Sequence, residues 1–215
     1  MWCVAESDGR IGSVMAEETE GRTGGEGVRS FVAVALPEEV REEVLGAAKG
    51  LSGELPEVRW TRKVENLHVT VQFLGPVVES RIETLAGALA EELAARSPFA
   101  MELRGLGAFP DERHATSLWV GVVDPDRRLE GVATSVRRVT GRMGLVPERR
   151  AFRPHVTVGR CKRGVDVRLA IEPWRTRSFG VVSVDGVHLY ESRLGREGST
   201  YLLRGRAPLL GAREA

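Results

Sequence analysis

The tetrapeptide His-Val-Thr-Val occurs twice, at residues 68–71 and 155–158, so that the two histidines stand 87 positions apart. A repeat at this spacing constrains the fold more than any single segment does, because each half must build the same local structure as the other. The flanks repeat as well. Phe31-Val32-Ala33-Val34-Ala35-Leu36-Pro37 overlays Leu118-Trp119-Val120-Gly121-Val122-Val123-Asp124-Pro125 at the same offset, Phe31 falling on Leu118, with one residue inserted before the proline. Each half reads as strand, helix, then a strand bearing the tetrapeptide. Two such lobes are expected to pack about a pseudo-twofold axis with equivalent strands facing across a cleft. The expected fold class is α+β: two pseudo-symmetric lobes, each an antiparallel sheet with helices on its outer face, and a cleft between the sheets.

Periodicity fills in the elements. Val40, Val44, Leu45, Ala48 and Leu51 recur at helical spacing after Pro37, as do Ile82, Leu85, Ala86, Leu89 and Leu93 before Ser97-Pro98. A third helix carries Leu129, Val132, Val136, Val139 and Met143. Strands are expected at Val58–Trp60, Leu67–Leu74, Met101–Leu106, Ser117–Val123 and His155–Arg160, and two late ones at Val181–Tyr190 and Thr200–Arg206. Residues 1–28 differ: six glycines, scattered acids and no apolar period mark a disordered or over-extended N-terminal segment, with a single bilobal domain over 29–215.

In a strand, residues i and i+2 share a face, so His68 pairs with Thr70 and His155 with Thr157 while the valines point to the core. Histidine titrates near neutrality, and two of them facing one cleft suit general acid–base chemistry. In-line displacement at phosphorus needs such a pair: one imidazole takes the proton of the attacking oxygen and the other supplies a proton to the departing oxygen. The threonine hydroxyls are placed to donate to non-bridging phosphate oxygens. No metal or cofactor is called for, since the sequence has no H-E-x-x-H and no acidic cluster beside these histidines. His114 and His188 lie in other contexts and read as bystanders.

The remaining composition bounds the partners. Thirty-one basic residues against 30 acidic ones give a net charge of +1, too little to hold long nucleic acid by phosphate contacts alone. No run approaches a membrane span and the N-terminus lacks a signal-peptide core, which points to the cytoplasm. Two cysteines, Cys3 and Cys161, read as free thiols. Arg149, Arg150, Arg153, Arg160, Lys162 and Arg163 cluster about the second motif. Arg153 and Arg160 flank its strand and are the candidates to grip a phosphate. Only three of the basic residues are lysines, a bias that GC-rich coding produces without any selection for guanidinium chemistry. Phe31, beginning its strand, is either a stacking platform for a base or a core residue.

These residues resemble a known family. Val58-Arg59-Trp60, Glu65-Asn66-Leu67-His68-Val69-Thr70-Val71-Gln72-Phe73-Leu74-Gly75, Phe152-Arg153-Pro154-His155-Val156-Thr157-Val158-Gly159-Arg160 and Val187-His188-Leu189-Tyr190-Glu191 are similar to the RNA 2',3'-cyclic phosphodiesterases, also called 2'-5' RNA ligases, of the 2H phosphoesterase superfamily. The similarity runs from about Arg29 to Leu210. It implies metal-independent hydrolysis of RNA 2',3'-cyclic phosphate ends to 2'-phosphomonoesters, with reverse 2'-5' ligation of such an end to a 5'-hydroxyl. By the family pattern His155 is the base for water and His68 the acid for O3'; the residues alone leave that orientation open. The implied partner is an RNA end or a small cyclic nucleotide, with no DNA and no membrane, on a monomer. The alternatives are a 2H-type enzyme acting on a small cyclic nucleotide and a non-catalytic RNA-end binding module.

Overall fold

The computed structural model describes residues 27–145, 151–195 and 198–212. The N-terminal segment up to residue 26, with Cys3, and the arginines 149 and 150 of the basic cluster lie outside them. In chain order the elements are β1 (Val28–Ala35), α1 (Glu38–Leu51), β2 (Arg59–Trp60), β3 (His68–Val77), α2 (Ile82–Leu93), β4 (Phe99–Phe109), β5 (Ala115–Val123), α3 (Arg128–Arg142), β6 (His155–Val165), α4 (Arg168–Ile171), β7 (Ser178–Val184), β8 (Gly186–Gly195) and β9 (Gly198–Pro208).

Two antiparallel sheets result. One has the order β3-β1-β8-β9, the other β2-β6-β5-β4-β7. The expected two-sheet α+β architecture is therefore present, but the sheets are not the two halves of the sequence: the first takes β8 and β9 from the C-terminal end. The segment expected as one strand over Val181–Tyr190 is two strands in different sheets, separated at Asp185. Its unbroken alternation hides the crossing. Gly186 permits it, because a Cβ there would stand 2.7 Å from the Ala207 carbonyl oxygen of the neighbouring strand.

Helix placement follows the apolar stripes. Helices α2 and α3 pack against each other and behind the first sheet, on β9 and β3, whereas α1 lies behind β6 and β7 of the second. Helix α1 thus leaves β1 of one sheet to cover the other, and α3 leaves β5 to cover β3. Val40, Val44 and Leu51 of α1 and Leu129, Val132 and Val136 of α3 are all buried in one continuous core. A buried side-chain hydrogen bond, Gln72 Nε2 to Thr140 Oγ1 at 3.0 Å, ties β3 to α3.

The register corrects the repeat by one residue. Val32 stands opposite Gln72 on β3, and Leu118 stands opposite Gly159 on β6, so on this strand the equivalence is Val32 with Leu118. The same registers reveal matched bulges. Val71 has no partner on β1 and Val158 none on β5. A bulge inserts one residue and reverses the inward–outward alternation beyond it. Gln72 and Gly159 are consequently buried on the back of their sheets, and Phe73 and Arg160 come round to the front beside the His-Thr pairs.

Candidate active site

Strand β3 forms the edge of the first sheet, and β6 in the second is covered only by the two-residue β2. These edges meet, with β3 against β6, which brings the two tetrapeptides together. Both imidazoles are held alike: Nδ1–H donates to the carbonyl two residues earlier, His68 to Asn66 at 2.8 Å and His155 to Arg153 at 2.6 Å. A donating Nδ1 fixes the tautomer and leaves Nε2 as the nitrogen that exchanges protons. Asn66 is itself anchored, its Nδ2 donating to the Ser199 carbonyl on β9 at 2.9 Å. Thr70 Oγ1 lies 3.1 Å from His68 Nε2, so the hydroxyl donates to the neutral ring.

The surroundings of the two rings differ. His68 rests on Phe31, with centroids 4.9 Å apart, and meets Tyr201 edge-on at 5.2 Å. Phe31 is only 3% exposed and stacks in turn on Tyr190 at 5.3 Å. Of the two alternatives for Phe31 the structure takes the core one: it is the floor under His68, with no face free for a base. This aromatic burial, with a smaller push from the charge on His155, lowers the His68 pKa to about 4, and the Asn66 carbonyl offsets only part of the drop. His155 has Phe109 edge-on at 5.0 Å and Trp119 at 6.2 Å. Trp119 lies flat across β4 because position 107 is glycine: a Cβ there would stand 2.3 Å from its ring.

Arg153 and Arg160 are both exposed. Arg153 orients His155 through its carbonyl and lays its guanidinium 4.7 Å from the Phe109 ring centre. Arg160 reaches the front face through the Val158 bulge. Several neighbours carry no signal in the sequence. His188, expected to be a bystander, stands opposite Ala33, itself opposite Thr70, and shares their face; its Nδ1 and the Tyr190 hydroxyl lie 3.0 Å apart. Tyr190 and Tyr201 are ordinary members of a strand pattern until the register is known. Cys161 is buried and free, its thiol pushed up by burial. Among the described residues no three His, Cys, Asp or Glu side chains form a metal-ligand group, and no helix is long and apolar enough to cross a membrane.

Residues 36–196 match the family model of the 2'-5' RNA ligase superfamily. The chain belongs to the 2'-5' RNA ligase superfamily. Within it, a protein of Archaeoglobus fulgidus named RNA 2',3'-cyclic phosphodiesterase is 33% identical over 177 residues, 81% of this chain and 96% of that protein. One of the same name from Methanothermobacter thermautotrophicus is also 33% identical, over 81% of this chain and 95% of its own length. Two solved structures overlay with a TM-score of 0.69 at 26% identity. TT0787 of Thermus thermophilus is matched over 86% of this chain and 100% of its own. Escherichia coli LigT complexed with 3'-AMP is matched over 86% and 99%.

Proposed function

We propose that this superfamily member hydrolyses RNA 2',3'-cyclic phosphate ends to 2'-phosphomonoesters by proton transfer between His68 and His155, without a metal ion. The observation that carries the reading is the matched pair of Nδ1-anchored imidazoles on meeting strand edges, each with a threonine hydroxyl two residues on. The relatives' names supply the substrate class. Water attacks phosphorus in line with O3'; its proton goes to Nε2 of His155, the P–O3' bond breaks, and Nε2–H of His68 protonates O3'. Thr70 and Thr157 donate to the non-bridging oxygens as charge builds there. Arg153 and Arg160 hold the phosphate's approach side, and Phe31 supports His68 from beneath.

A pKa of about 4 leaves His68 neutral in the empty cleft at pH 7, the wrong form for an acid. The substrate repairs this. A unit negative charge about 4 Å from the ring is worth about 4 kcal/mol at an effective dielectric constant of about 20, or about 3 pKa units. Binding the anion thus protonates His68 and arms it. A 5'-hydroxyl in place of water gives 2'-5' ligation at the same atoms. The cytoplasm is the expected compartment and a monomer the expected state, since one chain supplies both histidines.

The test is turnover of a short RNA ending in a 2',3'-cyclic phosphate, with EDTA present, by the wild type and by His68→Ala and His155→Ala, with the product identified. A 2'-phosphate whose formation falls by orders of magnitude in both variants supports the reading. Equal tolerance of both substitutions refutes it.

A further inference from the structure

The two edges of the first sheet, β3 and β9, lie three strands apart. At about 4.8 Å per strand a flat sheet would hold them about 14 Å from each other, yet the Tyr201 ring of β9 meets His68 of β3 at 5.2 Å between centroids. The front of this sheet is therefore strongly concave. His68, Phe31 and Tyr201 are mutual neighbours within it, Phe31 and Tyr201 standing 4.9 Å apart. An edge strand has no ladder partner on its outer side, and here a side chain ties β9 to the residues leading into β3. Nδ2 of Asn66 donates to the Ser199 carbonyl at 2.9 Å, across 133 positions of sequence and two residues before Tyr201.

Asn66 also governs the ring itself. It ends the 3-10 turn Val64–Asn66, in which its N–H donates to the Lys63 carbonyl at 3.0 Å and the Leu67 N–H to that of Val64 at 3.2 Å. Leu67, 2% exposed, plugs the turn into the core. The Asn66 carbonyl is thereby aimed at Nδ1 of His68, 2.8 Å away. One residue grips the imidazole with its backbone and the strand bearing Tyr201 with its side chain. The second motif repeats the device with other chemistry. The Arg153 carbonyl accepts from Nδ1 of His155 at 2.6 Å, and the Arg153 guanidinium lies over Phe109, the ring that meets His155 edge-on. The recurrence is one of geometry and not of residue type.

We propose that Asn66 is a positioning residue for proton exchange at His68, latching the Tyr201 strand against the imidazole whose tautomer its own carbonyl fixes. This rests on the role given to His68 above and adds the residue that prepares it. With Nδ1–H committed to Asn66, the proton that comes and goes is the one on Nε2, which faces Thr70. Without the latch, β9 is free to move off the ring, water reaches it and the carbonyl loses its aim. Few groups face His68: Phe31 from β1, Thr70 on its own strand, and the titratable Tyr201 of β9 and His155 of β6, whose charge pushes the ring's pKa down. His188 stands beyond Ala33, and Glu65 is exposed.

The experiment compares the wild type with Asn66→Leu, which keeps roughly the side-chain volume and loses the donor, and with Asn66→Ala. Histidine nitrogen NMR reads the tautomer and the titration midpoint of His68, assigned through His68→Gln, beside steady-state kinetics on cytidine 2',3'-cyclic phosphate. In the wild type the neutral ring is expected to carry its proton on Nδ1. Asn66→Leu is expected to mix the two tautomers and to raise the midpoint by about one pH unit or more as water returns to the ring. It is also expected to lower kcat about tenfold, the weight of one lost hydrogen bond, with KM within about twofold. A wild-type ring protonated on Nε2 overturns the proposal before any variant is made, so the test holds even where a substitution unfolds the chain. An unchanged tautomer and midpoint in folded Asn66→Leu or Asn66→Ala overturns it too, whatever the loss in kcat, since a merely structural role lowers stability without touching either. The spectra need no turnover: a wild type inert on the cyclic phosphate overturns the function proposed above, and the NMR decides the latch by itself.

Discussion

Occupying the cleft with a phosphomonoester should convert His68 from a neutral ring to an imidazolium at neutral pH. In the empty protein the Phe31 floor and the Tyr201 edge strip water from the ring and hold its pKa at about 4. A phosphate bound within hydrogen-bonding reach of Nε2 brings negative charge to about 4 Å, worth about 4 kcal/mol per unit at an effective dielectric constant of about 20. Divided by 1.36 kcal/mol per pKa unit, this lifts the ring by about 3 units, to about 7. The sign for binding follows: between pH 4 and 7 the complex holds a proton that the free protein does not. Phosphate affinity should therefore weaken as pH rises through that window, by up to about tenfold per unit. The assay is a histidine NMR titration of the protein alone and saturated with cytidine 2'-phosphate, His68 being assigned through His68→Gln. A midpoint still below 5 in the saturated protein would refute the reasoning: His68 would then be unable to act as the acid at neutral pH, and the two histidines would have to exchange roles.

Other consequences are open to direct measurement. Because the unfolded chain protonates this histidine below about 6.5 and the folded chain only near 4, the wild type should lose about 3 kcal/mol of stability from this group as pH falls across that interval. Urea unfolding of His68→Gln should lack that component; an identical acid slope would count against it. Phe31→Leu should destabilise by about 1–2 kcal/mol and raise the His68 midpoint, since a smaller floor readmits water; thermal unfolding and the same NMR titration report both. Thr70→Val and Thr157→Val should each lower kcat about 100-fold with little change in KM, and steady-state kinetics showing the loss in KM alone would remove the hydroxyls from the transition state. Gly107→Ala, whose Cβ would overlap the Trp119 ring, should cost about 1–3 kcal/mol in unfolding measurements.

Much of the site is legible in the sequence because a strand's two-residue period is local information. His68 with Thr70, and His155 with Thr157, follow from spacing alone, and the three long helices follow from their apolar stripes. What is hidden depends on pairing. Nothing in Thr70-Val71-Gln72-Phe73 announces a bulge at Val71, yet that bulge buries Gln72 against Thr140 and turns Phe73 outward, 54% exposed. The mirrored bulge at Val158 does the same for Arg160. The passage from β7 to β8 is concealed because both sides of Asp185 keep an alternating pattern, and only the partner strands show that they belong to different sheets. Phe31 is ambiguous and His188 reads as a bystander for the same reason: a face can be assigned from sequence, but what lies opposite is set by strand pairing, Phe31 with Phe73 and Tyr190 and His188 with Ala33.

The crossed packing of α1 and α3 bears on how the cleft can move. Each lies behind the sheet opposite the strand that precedes it, so the lobes are laced to each other through the core rather than joined by a hinge. Spreading them would draw Val40, Val44 and Leu51, or Leu129, Val132 and Val136, out of apolar contact, at about 1.5–3 kcal/mol for each side chain returned to water. That penalty approaches the entire stability of an ordinary domain. The distance between the two imidazoles is thus a property of the folded core, and whatever ligand the site takes must reach them by sliding into a slot of fixed width.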